Sequence, residues 1–122
     1  MATAEQTIGA VLEATNKRYV VETYKTDDGS GGYTLYSDGY CEQWGTYVLD
    51  VGIAHKTVTQ SLYRSYKDTN YYASASIKTV SDLQTGYSWA QYTTIVDSGT
   101  IQFHVGGQAG DGATWETRGY VA

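Results

Sequence analysis

A two-residue turn signal, Asp38-Gly39, constrains the fold of this chain more than any other feature of its sequence. It lies between residues 33–36 and 40–44, two short stretches rich in aromatic or alternating residues that suit a pleated, half-buried surface. Asp-Gly between such stretches is a strong signal for a type I′ turn, whose two central residues both need positive φ. We therefore predict a β-hairpin centred on Asp38-Gly39.

The same alternation of short strands and turns continues along the chain from residue 19. In the clearest example Ile101, Phe103 and Val105 face inward while Gln102 and His104 face outward. Fourteen glycines and no proline fit many strands joined by tight turns. Residues 46–50 extend the second strand of the hairpin, and the further predicted strands are residues 19–25, 55–62, 71–77, 87–96, 100–105 and 113–121. This pattern predicts an all-β fold, an antiparallel β-sandwich of about seven or eight short strands in one domain, residues 19–122.

Charge and cysteine content exclude several classes of function. A net charge of −5 argues against binding to nucleic-acid phosphates. No apolar run is long enough for a transmembrane helix, and no secretory signal opens the chain, so we expect no membrane insertion. The single Cys41 rules out an intrachain disulfide and a cysteine zinc site, and we expect it to be a buried free thiol.

Catalytic patterns are sparse, and we expect neither an enzyme nor a cofactor. The only histidines, His55 and His104, lie outside any nucleophile motif. The glycine-rich stretch with Asp27-Asp28 lacks the ligand spacing of a calcium loop, so we interpret it as a solvated turn. We expect the Glu42-Gln43 pair to hold a buried, hydrogen-bonded position that fixes strand register.

Thirteen tyrosines are more than one small core can hide. Tyrosine and tryptophan offer a large, rigid contact area with a polar tip, which suits binding surfaces. We therefore expect some of these side chains to be exposed for recognition or for contacts between subunits.

Three segments together resemble the C-terminal domain of bacteriophage tail-fibre proteins. They are Val20-Val21-Glu22-Thr23 followed by residues 33–43, residues 66–71, and the close Trp115-Glu116-Thr117-Arg118-Gly119-Tyr120. The resemblance spans roughly residues 19–122. This chain departs from the family in two places. Trp44 stands where a glycine is common, and the long glycine-rich insert that usually precedes the second motif is short here. The resemblance implies a homotrimer in the virion, joined to an upstream fibre shaft, that binds a bacterial cell-surface receptor, either a glycan or an outer-surface protein.

Residues 1–18 carry the only helical signal. Thr3 and Gln6 form a capping-box pattern, and Ile8, Val11 and Leu12 follow one helical face, so we predict a helix over residues 3–16. Two interpretations stay open, because a helix this short needs a partner surface. It packs on its own domain, or it forms a three-chain junction with the fibre shaft.

We place receptor recognition outside the segments that match the family, which we assign to the scaffold. The stretches that remain are residues 63–64, 85–87 and 108–111. The predicted receptor-binding residues are Tyr63, Arg64, Tyr72, Tyr87, Tyr92, His104 and Asp111. Two alternatives stay open: a small polysaccharide hydrolase with paired carboxylates, and a free bacterial lectin-like module.

Overall fold

The computed structural model describes residues 18–78 and 89–122, and within them the protein is all-β with eight antiparallel strands. The strands are β1 (Val20–Lys25), β2 (Gly31–Tyr36), β3 (Tyr40–Val48), β4 (Ile53–Ser61), β5 (Tyr72–Lys78), β6 (Trp89–Asp97), β7 (Thr100–Gly107) and β8 (Gly112–Tyr120). They form a large sheet of order β1-β2-β3-β8-β5 and a small sheet of order β4-β7-β6. The predicted all-β class and strand number are confirmed.

The helix predicted over residues 3–16 lies outside the described residues. So does the start of the predicted strand 87–96, of which β6 forms the rest. Across residues 18–78 and 89–122 there is no helix that could cross a membrane.

The two sheets contribute to one hydrophobic core. On β7 the predicted alternation holds, because Ile101, Phe103 and Val105 are fully buried. Tyr47 of the large sheet meets Phe103 edge-on, with 6.3 Å between ring centroids. Complete burial of a side chain such as Phe103 contributes roughly 2–3 kcal/mol. Other core residues are Tyr33, Cys41, Leu49, Val58, Tyr66, Tyr71, Ala113 and Trp115.

The predicted hairpin forms, but its turn differs from the predicted one. The Gly39 amide donates to the Tyr36 carbonyl at 3.0 Å, so Ser37 and Asp38 are the central residues of the turn. Gly39 follows them with a φ of 88°. The loop therefore has three residues, with glycine in the left-handed position after the turn, instead of two central residues at positive φ. The Asp38 carboxylate accepts a hydrogen bond from the Tyr40 amide at 3.1 Å, which favours the longer loop.

The domain has two distinct ends. At the end we call proximal, Arg18 pairs with Asp38 at 2.8 Å, and the Val121 amide donates to the Gly39 carbonyl at 2.9 Å. Arg18, the first described residue, therefore lies at this end. At the opposite, distal end lie the loops of residues 26–30, 49–52 and 108–111.

The distal loop at residues 26–30 is the solvated turn that the sequence predicted. The Asp28 carboxylate accepts hydrogen bonds from the Ser30 amide, the Ser30 hydroxyl and the Thr26 hydroxyl at 2.7–3.0 Å. These bonds, that of the Ser30 amide foremost, lower the pKa of Asp28 to about 2. No group of three or more potential metal ligands occurs in the part of the chain that the structure describes.

Candidate functional site

The buried amide of Gln43 anchors the segment of residues 62–71 that follows β4. Gln43 is only 1% exposed at the middle of β3. Its Nε2 donates to the Arg64 carbonyl at 2.8 Å, and its Oε1 accepts from the Arg64 amide at 3.0 Å. The buried hydrogen-bonded role expected for the Glu42-Gln43 pair thus belongs to Gln43 alone. It fixes a loop instead of strand register, while Glu42 lies on the opposite face of the sheet.

Tyr63 and Arg64 are held in a cluster of aromatic and charged side chains on the inner face of the large sheet. The Tyr63 ring stacks on Trp115, with centroids 6.1 Å apart, and contacts Tyr24 at 5.4 Å. The Arg64 guanidinium pairs with Glu22 at 2.8 Å. Tyr63 keeps 37% of its surface exposed, so one edge of this cluster reaches solvent. Its packing gives both predicted residues a structural role in addition to any contact with a ligand.

Tyr66 and Tyr71 belong to the scaffold, as expected for the motif at residues 66–71. Their rings stack with centroids 4.4 Å apart, and both are buried. The Tyr66 hydroxyl donates to the Cys41 carbonyl at 3.1 Å and lies 2.8 Å from Thr117 Oγ1. The Tyr71 hydroxyl donates to the Asp97 carbonyl at 2.8 Å. Burial raises the pKa of each phenol to about 12.

The outer face of the large sheet carries a concavity of about 330 Å³ over β3, β8 and β5. Strand register builds it from two rows of side chains. One row is Trp44, Glu116 and Ser74, and the next is Thr46, Thr114 and Ser76. We call these six residues the outer trough; Gly45 and Trp115 also line it. One aromatic ring, one carboxylate and four hydroxyls therefore meet in a single hollow.

The outer trough lies in the distal half of the sheet. Counted from the proximal end, the rows of β3 and β8 on this face start with Tyr40 and Tyr120 and continue with Glu42 and Arg118. The two rows of the outer trough follow. Tyr72, which is 49% exposed, stands in the Arg118 row with the guanidinium 4.4 Å from its ring centroid. Among the predicted receptor-binding residues whose side chains the structure describes, Tyr72 is thus the one that borders this hollow.

His104 lies elsewhere, on the outer face of the small sheet. Its Nδ1 is 3.1 Å from both His55 Nε2 and Thr57 Oγ1, and the two imidazole rings are stacked. Its outward orientation agrees with the predicted alternation of β7. This face is separated from the outer trough by the core between the sheets.

Asp111 is fully buried, so its side chain does not reach the surface of the chain. Its carboxylate accepts a hydrogen bond from the Gln108 amide at 3.0 Å, and its carbonyl accepts one from the Leu49 amide at 2.7 Å. Asp111 therefore fixes the distal loops, and the prediction of direct ligand contact does not fit this position. Tyr87 lies outside the described residues, and Tyr92 lies in β6 with its side chain outside the described part of the chain.

Comparisons with known proteins find a likeness in fold. No protein-family model matches the chain, and no curated protein matches it. A solved structure of a C-terminal portion of the P. aeruginosa R1 pyocin fibre superposes with a TM-score of 0.61 at 12% identity. It covers 98% of this chain, which in turn spans only 32% of that fragment. An N-truncated R1-type pyocin tail fibre gives a TM-score of 0.54 at 14% identity, with 98% of each chain covered. The chain is thus similar in fold to pyocin tail-fibre fragments.

Proposed function

We propose that this chain is a receptor-binding domain of a tail fibre, from a phage or a related particle, and that it recognises a bacterial surface glycan or protein without cleaving it. The observation that carries the proposal is the shared fold, which extends over 98% of the chain in both pyocin fibre comparisons. The sequence motifs that resemble phage tail fibres support it independently. The domain would act as part of the virion or particle.

The proposed active form is a homotrimer, and exposed apolar side chains support it. On β1, Val20, Val21 and Tyr24 are 44–52% exposed. At the distal end, Val51 is 68% exposed and Ile53 is 38% exposed. A small domain that leaves this much apolar surface in water gains stability when copies associate. The segment of residues 1–17 would then join the fibre shaft at the proximal end.

A binding role fits the outer face better than hydrolysis does. The outer trough holds one carboxylate, Glu116, whereas glycoside hydrolysis ordinarily needs two that flank the bond. Glu42 occupies a diagonal position on the neighbouring strand, but Arg118 is paired directly with it in the sheet. A hydrolase working from this face would release new reducing ends from a surface polysaccharide. We expect none with the purified domain.

Adsorption to whole cells tests the proposal. Fluorescently labelled domain is mixed with a panel of bacterial strains, and bound protein is measured by flow cytometry. We expect saturable binding to a subset of strains. Treating those cells with periodate or with protease then separates a glycan receptor from a protein receptor. Failure to adsorb to any strain would count against the proposed function.

A further inference from the structure

We propose that the outer trough is a sugar-binding subsite that takes one or two residues of an uncharged glycan. The inference rests on the proposed receptor-binding function and names the ligand chemistry of one surface. None of its six residues lies in the predicted receptor-binding stretches, and Glu116 belongs to a segment that the sequence assigned to the scaffold.

Within the described part of the chain, none of the six trough side chains forms a hydrogen bond or an ion pair with the protein. Three arginines near this sheet are engaged: Arg18 with Asp38, Arg64 with Glu22, and Arg118 over the ring of Tyr72. The carboxylate of Glu116 and four hydroxyls thus converge on one hollow with their bonding capacity open to a ligand. A carboxylate only accepts hydrogen bonds, while serine and threonine both donate and accept. This is the complement that sugar hydroxyls need.

Trp44 supplies the apolar part of such a site. Its indole reaches across to Gly32 on β2, where an added Cβ would come within 3.0 Å of the ring. The absence of a side chain at Gly32 therefore lets the indole pack against the sheet, with 37% of Trp44 exposed. The face of an aromatic ring is electron-rich and attracts the positive edge of neighbouring groups, including the C–H bonds on one face of a sugar ring. Trp44 is thus held at the edge of the hollow that faces β2, where its exposed part is available for that contact.

The size of the hollow limits the ligand. Three strands and two side-chain rows cover about 10 Å by 7 Å, which suits one or two sugar rings. A protein partner would need roughly 800 Å² on each side. Charge also limits the choice of sugar, because Glu116 and the net charge of −5 repel an acidic sugar. A neutral hexose or an N-acetylated sugar fits both limits.

A titration followed by NMR tests the assignment on the full chain. Indole N–H signals are recorded for ¹⁵N-labelled protein, and Trp44→Phe identifies the Trp44 signal. The probes are glucose, galactose, mannose and N-acetylglucosamine, with glucuronate as the acidic counterpart. We expect at least one neutral sugar to shift the Trp44 signal saturably at millimolar concentration. Glucuronate should produce no comparable shift of the Trp44 signal.

Two variants test the contribution of the trough to that binding. Glu116→Gln removes a charged acceptor and should weaken the responsive sugar about tenfold or more. Asp50→Asn, an exposed carboxylate outside the trough, should leave the affinity unchanged. Equal affinity in Glu116→Gln and the unaltered chain would overturn the assignment, as would a Trp44 signal that no neutral sugar moves.

Cell adsorption distinguishes failure of the subsite from failure of the proposed function. Trp44→Ala should reduce adsorption to a binding strain at least tenfold, whereas Val48→Ala, on the same strand beyond the trough, should not. If Trp44→Ala adsorbs as well as the unaltered chain, the subsite is excluded and the receptor-binding function stands. If the unaltered chain adsorbs to no strain but still binds a neutral sugar in the trough, the function fails and the subsite stands.

Discussion

Gln43 decides the position of a whole loop through one side chain. Its two hydrogen bonds to the backbone of Arg64 satisfy a carbonyl and an amide that have no strand partner. The sequence placed a buried polar residue at this point of β3 but could not say which of Glu42 and Gln43 it was. Strand alternation leaves that choice open until one face is known to be the core. The partner, 21 residues away, is also invisible in the sequence.

Replacing Gln43 with Met should lower the free energy of unfolding by roughly 2–4 kcal/mol, because two backbone groups lose their partners at similar side-chain volume. Chemical denaturation measures the change. Gln60→Met on β4 is the control, since within the described residues the Gln60 side chain donates to the carbonyl of its neighbour Ser61 and to no distant segment. That variant should stay within about 0.5 kcal/mol of the unaltered chain. Equal effects from the two substitutions would contradict the anchoring role.

Cys41 is buried and unpaired, which confirms the prediction of a free interior thiol. Burial raises the pKa of the thiol to about 11, so almost none is thiolate at neutral pH. Iodoacetamide should therefore label the folded protein far more slowly than the urea-unfolded chain. Cys41→Val should change stability by less than about 1.5 kcal/mol. Rapid labelling of the folded protein would show that the thiol is accessible.

High pH should destabilise the domain through three groups. The pKa is raised to about 11 for Cys41 and to about 12 for Tyr66 and Tyr71, from ordinary values of 9.0 and 10.0. As the pH rises, the unfolded chain releases these protons before the folded chain does, so the folded state loses stability. The melting temperature should hold up to about pH 9 and fall between pH 9 and 12.

Tyr66→Phe isolates one of these groups. The variant removes a buried hydroxyl that bonds to the Cys41 carbonyl and Thr117, which should cost about 1–2 kcal/mol at neutral pH. Above pH 10, the melting temperature of this variant should fall less steeply with pH than that of the unaltered chain. Tyr72→Phe removes an exposed hydroxyl and should leave neutral-pH stability unchanged. An unaltered alkaline profile in Tyr66→Phe would contradict the assignment.

At the scale of elements, the sequence predicted strands and turns well but not how separate elements pack together. Alternation identified the inward face of β7, and the Asp38-Gly39 signal located the hairpin. The outer trough was missed because β8 pairs with β3 and β5, which are distant in sequence. The sequence did mark Trp44 as unusual, because the tail-fibre proteins that this chain resembles often have a glycine at that position. Its neighbours Glu116 and Ser74 are adjacent only through strand register.

Gly31 controls where the Tyr63 ring can lie. A Cβ at Gly31 would clash with the Tyr63 hydroxyl and lie 3.0 Å from the Trp44 carbonyl oxygen. Gly31→Ala should therefore displace Tyr63 and cost about 1–3 kcal/mol. Gly52→Ala is the control, because the nearest atoms to an added Cβ at Gly52 are 3.6 Å away, an ordinary contact distance.

A double variant checks the cause. Adding Tyr63→Phe to Gly31→Ala removes the hydroxyl that meets the new methyl group, so part of the lost stability should return. Denaturation of the four proteins gives the coupling between the two positions. If the losses in unfolding free energy from Gly31→Ala and Tyr63→Phe simply add in the double variant, Gly31 does not constrain the position of the Tyr63 ring.

At the scale of the whole molecule, the fold class was predictable because short strands and turn residues recur along the chain, whereas assembly was not. Valines on β1 and at the distal end are exposed, and we propose that they meet other copies of the chain. Which surfaces meet depends on a symmetry that no single chain encodes visibly. The predicted helix, which bears on the same question, lies outside the described residues.

Light scattering should give a mass three times that of the 13.4 kDa chain. Leu12→Glu separates the two interpretations of residues 3–16: a three-chain junction would dissociate, whereas a helix packed on its own domain would lose stability and leave the trimer intact. A mass of one chain at micromolar concentration would rule out the homotrimer.

The central claim, that this domain binds a bacterial surface receptor, is tested most directly by a competition isotherm on one adsorbing strain. Labelled domain is held at a fixed concentration while unlabelled domain is added in increasing amounts. If the domain binds specifically to a limited number of receptor sites, the unlabelled domain should displace the labelled one. The amount of bound label should then fall to background along a single competition curve. Bound label that does not fall with excess unlabelled domain, or that is equal on every strain, would contradict the claim.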